Sequence, residues 1–260
     1  MGVLNVTPDS FSDGGKHFLL DHAVSRAVQM ASAGADIVDV GGESTRPGSQ
    51  GVSLQEELDR VIPVVEAIAS EVPIPVSVDT SKPQVMREAV AAGAGFINDV
   101  MALRQPGALL AASELSVPVC LMHMLGTPRS MQQQPEYGNV VAEVGAFLQE
   151  RVTACEEAGI SREKLLLDPG FGFGKKLDHN LSLLKNLREI ADMGLPLLVG
   201  ISRKSMIGQI LGNKSVDQRL FGGLATVVMA LERGAAIVRV HDVAPTKDAV
   251  RVAAAVLAAD

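Results

Sequence analysis

The order of elements predicts a (β/α)8 barrel, built as a single domain over residues 1–260. Short, almost continuously apolar runs rich in β-branched residues recur at Val3–Val6, Ile37–Val40, Val76–Asp79, Phe96–Val100, Val119–Met122, Leu165–Asp168, Leu197–Gly200 and Ile237–Val240. Such runs suit parallel strands covered on both faces. Helical patterns alternate strictly with them, and that alternation specifies a parallel sheet wrapped by helices. No G-x-G-x-x-G follows the first run, which argues against an open doubly wound sheet.

The helical patterns fall at His22–Ala33, Leu54–Ser70, Pro83–Ala92, Gly107–Ser116, Val140–Ala158, Asn180–Met193, Asp217–Arg233 and Lys247–Ala259. Glycines directly after Ala33, Ala92, Ala158 and Arg233 mark helix ends, because a left-handed residue terminates a helix cheaply there. Ser53 stands three residues before Glu56 at capping-box spacing, and Pro83 sits where a first turn tolerates proline.

Composition narrows the function. Aromatic residues are only 3%, with no Trp and one Tyr, so the core must be aliphatic. The net charge of −7 argues against a partner bound through a nucleic-acid backbone, which needs a basic face. Cys120 and Cys155 have no metal-binding spacing and read as reduced thiols of a cytoplasmic protein. No apolar run is long enough to span a membrane, and the first residues lack the basic region of a signal peptide.

Barrel enzymes carry their chemistry at the C-terminal ends of the strands. Here those ends bear Asn5, Asp39, Asp79, Asn98, Asp99, His123, Asp168, Ser202, Arg203, Lys204, Arg239 and His241, whereas the opposite ends are mostly apolar, Gly or Pro. Arg239 and His241 are two apart on one strand and so share a face, near strands 7 and 8 where barrels often bind phosphate. Two connections, 5–15 and 41–49, are long for βα loops and sit on the same mouth, as binding loops do.

Six ordered motifs then carry a family resemblance: Asn5–Gly15, Gly41–Ser49, Ser77–Ser81, Asp168–Lys175, Ser202–Ser205 and Arg239–Asp242. Together they resemble dihydropteroate synthase, of the pterin-binding family, over essentially the whole chain. The resemblance implies a barrel and the condensation of 6-hydroxymethyl-7,8-dihydropterin pyrophosphate with p-aminobenzoate, giving 7,8-dihydropteroate and pyrophosphate in folate biosynthesis. It also implies sulfonamide inhibition and a homodimer. Family members usually carry a short segment before the first strand, often a hairpin closing the barrel bottom, whereas here Met1 stands at that strand. That departure bears on stability more than on chemistry.

Residue by residue, the resemblance assigns the pterin to Asp79, Asn98, Met122, Asp168 and Lys204, with Val100 against the ring. Asp168 would take the exocyclic amine and the neighbouring ring N–H. It assigns pyrophosphate to Asn5, Arg239 and His241, with Asn5 also a ligand of Mg²⁺ and Asp13 a helper. The p-aminobenzoate slot would comprise Phe11, Pro47 and Phe173, with Thr45 and Arg46 completing the site and Ser202 and Arg203 meeting the carboxylate. Asp13, Arg46, Lys204, Arg239 and His241 are the expected catalytic groups of a dissociative, SN1-like displacement in which no side chain is a covalent nucleophile. One alternative is a methyltetrahydrofolate-binding methyltransferase of the same fold, which would need neither the long loops nor the pyrophosphate pair. The other is a non-catalytic pterin-binding homologue, which the intact Asn5, Arg46, Lys204, Arg239 and His241 disfavour.

Overall fold

Eight parallel strands follow one another around the sheet in chain order: β1 (Gly2–Asn5), β2 (Val38–Gly41), β3 (Val76–Asp79), β4 (Phe96–Asp99), β5 (Val119–Met122), β6 (Leu165–Asp168), β7 (Leu197–Val199) and β8 (Ala235–Val238). This is a computed structural model that describes residues 1–7, 16–44, 48–49, 51–126, 131 and 135–259, with the backbone alone for residues 16–19. The ring closes between the last strand and the first. Met1 N donates to Val238 O at 3.0 Å, Val240 N to Met1 O at 2.9 Å and Val3 N to Val240 O at 2.9 Å. The expected (β/α)8 barrel is the fold observed.

Helices α1 (Lys16–Ser32), α2 (Leu54–Glu71), α3 (Pro83–Ala91), α4 (Ala108–Leu115), α5 (Val140–Glu157), α6 (Leu177–Lys185), α7 (Leu187–Ala191), α8 (Ser205–Ile210), α9 (Leu220–Glu232) and α10 (Val243–Leu257) surround the strands. Local chemistry sets their ends. Ser53 Oγ accepts from Glu56 N at 3.2 Å to open α2, and Pro83 takes the first position of α3. Gly93 ends the α3 connection at φ +111°, a conformation that L side chains rarely adopt.

The two-residue period of each strand sorts side chains inward and outward. Outward residues such as Val38, Val40, Val78, Leu121 and Leu167 are buried against the helices in one large cluster. A separate cluster of Met1, Phe96, Cys120, Leu166 and Leu198, with Ile37 and Ile237 packed on it, fills the interior toward the strand N-termini. The barrel is therefore plugged mainly by apolar side chains below, with buried Ser77 in register with Phe96, and most of its inward polar residues stand at the upper mouth.

The structure corrects several boundaries. The sixth expected helix, Asn180–Met193, begins earlier and breaks into α6 and α7. At the break, both the backbone N–H and side-chain Nδ2 of Asn186 donate to Ser182 O, at 3.0 and 2.9 Å. Asn satisfies its backbone locally in this way and competes with a continuing helix. The stretch expected to begin a long helix at Asp217 instead forms a 3-10 turn, Val216–Gln218, before α9. A helix opening after Ser202 is expected from its place at the mouth, and α8 is that helix, although its six residues are too few to display a helical period. α1 and α10 each begin earlier than the patterns suggested, and the ends of β1, β2, β4, β7 and β8 shift by one or two residues.

Leu198 is fully buried in the floor of the barrel. Leu198→Ala is expected to lower unfolding stability by about 2–5 kcal/mol, the range for a leucine-sized core cavity. Urea denaturation measures this, and a loss below about 1 kcal/mol would contradict the tightly packed floor.

Candidate active site at the C-terminal mouth

The ends of four neighbouring strands form one row. Asn5 is in register with Gly41, Gly41 with Asp79, and Asp79 with Asn98. Gly41 leaves room in that row: a Cβ there would lie 3.6 Å from Asp79 Oδ2 and 3.8 Å from Asn5 Oδ1. Oxygen atoms from two strands thus face a gap opened by the missing side chain.

Beyond β8 the chain carries Arg239 into the mouth. Its Nε donates to Asp39 Oδ2 at 2.6 Å and its Nη2 to Asp79 Oδ2 at 2.8 Å. Asn98 Nδ2 also donates to Asp39 Oδ2, at 3.0 Å. Burial opposes the Arg239 charge, yet the Asp39 and Asp79 carboxylates hold its pKa above the ordinary arginine value. Burial pushes the Asp79 carboxyl upward, and Arg239 works against that rise.

On the opposite side, Asp168 is buried and its Oδ1 accepts from Gly170 N at 2.7 Å. Burial raises its pKa, while that N–H and Lys204 favour the ionised form. Lys204 Nζ sits 4.1 Å from the centroid of the Phe173 ring, a cation–π contact. Burial brings Lys204 down to about 8, with Asp168 opposing the shift and Arg239 adding to it. Val100, Met122, Met124, Met131 and Phe173 form a compact apolar cluster in the same mouth, with Met101 at its edge.

Ser202 and His241 meet: the Ser202 hydroxyl lies 3.2 Å from both His241 Nδ1 and His241 N. Burial, then Arg239 and Arg203, lower His241 to about 4, so its ring is neutral at pH 7. Arg203 holds φ +60° and directs its guanidinium to Asp242, with Nε to Oδ2 at 2.9 Å and Nη2 to Oδ1 at 2.5 Å. That guanidinium is therefore engaged outside the ring of strand-end groups. Helix α8 opens just afterwards, and no side chain caps it.

The structure thus gathers Asn5, Asp79, Asn98, Met122, Asp168, Phe173, Ser202, Lys204, Arg239 and His241 at one mouth. Phe11, Asp13, Thr45, Arg46 and Pro47 lie outside the described residues. Asp39 stood in the sequence as a strand end without a role. In the fold it is fully buried and serves both Arg239 and Asn98. Strand period places it inward with Gly41, but the identity of its partners depends on strands far away in the chain.

The loop 169–176 is held from several sides. Gly172 N donates to Asn180 Oδ1 at 2.7 Å, and Tyr137 OH to Gly174 O at 2.8 Å. Gly170, at φ +69°, lies so close to His123 O that a Cβ would fall 1.9 Å from it. Chemically, the mouth offers carboxylate and amide acceptors and donors for a flat polar edge, an apolar surface for its face, and cations for an anionic tail.

Removing the Asp39 carboxylate by Asp39→Ala leaves Arg239 with half its compensation and Asn98 Nδ2 without an acceptor. The expected cost is about 3–5 kcal/mol of unfolding stability, as for other broken buried ion pairs. Chemical denaturation tests it, and a change within about 0.5 kcal/mol would mean that Asp39 does not support the clamp.

The family model described as pterin binding enzyme matches residues 1–241. The dihydropteroate synthase of Escherichia coli K12 is 60% identical over 259 residues, covering 100% of this chain and 92% of that protein. The Xanthomonas albilineans dihydropteroate synthase solved with 4-aminobenzoic acid superposes at TM-score 0.95 with 53% identity, covering 100% of this chain and 93% of that one. The same enzyme in complex with 7,8-dihydropteroate gives TM-score 0.91 and 51% identity, with 100% and 94% covered. With the family model matching residues 1–241 and a relative 60% identical over all of this chain, the chain belongs to the pterin-binding enzymes and, within them, to the dihydropteroate synthases.

Proposed function

We propose that this mouth joins the 6-methylene carbon of a dihydropterin pyrophosphate to the amine of p-aminobenzoate, the reaction of its family, without a covalent enzyme intermediate. The ligands of the two related crystal structures, 4-aminobenzoic acid and 7,8-dihydropteroate, are a substrate and the product of that reaction. One observation carries the assignment of parts. Asp79, read as a pterin group, and Arg239, read as a pyrophosphate group, touch at 2.8 Å. The two halves of the substrate are joined through a single methylene, so their receptors must adjoin.

In this reading Asp168 and Asn98 take the donor-rich pterin edge, while Val100 and Met122 pack against its face. Lys204 donates to ring acceptors, and Phe173 beneath it forms one wall of the p-aminobenzoate slot. Phe11, Pro47, Thr45 and Arg46 complete that slot in the proposal, with Ser202 and the donors after it toward the carboxylate and Arg203 near the rim. The C–O bond at the methylene breaks, with its electron pair leaving on pyrophosphate and the dihydropterin ring sharing the positive charge. Arg239, neutral His241 and Asn5 hold the departing anion, and the proposal assigns Asp13 to stabilising the cation. The aryl amine then attacks the methylene carbon and loses a proton. Catalysis is charge stabilisation and positioning. Neither thiol is poised to act: both are buried, and burial raises Cys155 to about 11.

In this reading Mg²⁺ would be held by Asn5 Oδ1 beside Gly41. Asn5 Oδ1 borders the gap, and among the described residues no group of three or more His, Cys, Asp or Glu forms a metal cage. A magnesium site completed by phosphate oxygens and water requires no such cage, and the ion would supply charge neutralisation of the leaving group.

We also propose that the chain pairs with a second copy through α9 and α10. Phe221, Met229, Val252, Val256 and Leu257 are exposed there, beside a groove of about 470 Å³ between the two helices. A cytoplasmic location is consistent with the two buried, free cysteines. No helix among the described residues is long and apolar enough to cross a membrane.

Arg239→Ala and Lys204→Ala are each expected to slow pyrophosphate release by ~100-fold or more, the scale of losing one preorganised electrostatic group. Near-normal turnover in either variant would remove that group from the mechanism. The Lys204 ammonium loses its proton as pH rises through about 8. Its contribution is therefore complete well below that pH, and kcat/KM for the pterin substrate falls above it. Lys204→Arg should move the descending limb to higher pH, whereas an unmoved limb would assign it to another group. Val252→Glu with Val256→Glu is expected to shift the sedimentation mass from dimer to monomer; an unchanged dimer would place the interface elsewhere.

A further inference from the structure

Lys175 is a lysine buried to 3% exposure, and no described carboxylate lies within ion-pair distance of its ammonium. Its three donors go to His123 Nδ1 at 2.9 Å, Gly170 O at 2.9 Å and Phe173 O at 3.1 Å. An ammonium has three protons, and all three are used. With Lys175 as the ammonium, Nδ1 of His123 accepts from it and the imidazole is neutral. Burial, and then Lys175 itself, bring His123 down to about 3. The charged groups that act on Lys175 are Asp168, which favours the ammonium, and Lys204, which opposes it; burial is the largest influence and brings it to about 7. Arg104, whose guanidinium lies over the Phe147 ring, also lowers His123, and that ring makes a T-shaped contact with His123 at 4.9 Å.

A buried cation without a contacting anion is costly, and an apolar side chain of the same length would fill this space at less expense. What the ammonium adds is its hold on two carbonyls. Gly170 presents its N–H to Asp168 Oδ1, and Phe173 places its ring under Lys204. His123 also fixes the adjoining strand end, since His123 N donates to Asp168 O at 2.9 Å.

We propose that Lys175, seated on His123, is the positioning residue of the pterin pocket, tying the Gly170 and Phe173 carbonyls together so that Asp168 and the Phe173 ring meet the substrate in fixed places. This rests on the reading of Asp168, Phe173 and Lys204 as substrate groups. Lys175 itself does not touch the reacting atoms.

Lys175→Met, His123→Leu and the double variant of the full chain test the proposal by steady-state pyrophosphate release and thermal melts. Each single variant is expected to raise KM for the dihydropterin pyrophosphate by ~10-fold or more, with kcat at saturation falling less than ~3-fold. Because the two side chains act as one unit, the double variant should be no worse than the poorer single. A purely structural role would lower the melting temperature and leave KM of the folded enzyme unchanged. Unchanged KM in either single variant, or losses that multiply in the double, overturns the proposal. If Lys175→Met does not fold, Lys175→Gln and His123→Leu carry the same KM readout. Lys204→Ala is measured alongside: normal kinetics there would refute the reading of the pocket, independently of the Lys175 result.

Discussion

The mouth depends on one shared cation. Arg239 arrives from the end of β8 and is divided between Asp39 of β2 and Asp79 of β3, residues 200 and 160 positions away in the chain. Burial drives the Asp79 carboxyl toward protonation, and Arg239 opposes that shift. Its position is in turn set by backbone pairing, for Arg239 N donates to Val199 O and the next residue pairs with Met1. The charged centre therefore comes together only as the last strand seals the ring against the first. Completion of the fold and completion of the site are one event.

The interior divides its labour by height. Below, Phe96, Cys120, Leu166 and Leu198 pack on one another and give the barrel its cohesion. Above, the same inward positions one step along each strand become Asn98, Met122, Asp168 and the glycine after β7. A two-residue step thus separates stability from chemistry. The two lysines near the pocket are handled differently. Lys204 is half-buried and faces an aromatic ring, ready for a ligand. Lys175 is sealed among backbone carbonyls and a neutral imidazole, with no remaining donor to offer.

Much of this was legible in the sequence because strands buried on both faces write long apolar runs, and the residue at each C-terminal end stands out by polarity. All eight strands and the polar mouth follow from that alone. The specific roles at the mouth came from the motif resemblance, since no periodicity says which Asp faces a heterocycle. What escaped was set by tertiary contact or by short range. Asp39 looks like any strand-end carboxylate until β8 delivers Arg239. Lys175 looks like a solvated loop lysine until the loop folds over His123. The break at Asn186 is decided by individual hydrogen bonds that leave no periodic trace.

The hydroxyl that Tyr137 gives to Gly174 has an optical consequence. The chain has no tryptophan and this one tyrosine, so essentially all ultraviolet emission excited near 280 nm in ordinary practice would originate from a single phenol tethered to the sixth βα connection. The protein thus carries a native fluorophore beside its own binding cleft, and movements of that connection are visible without labelling.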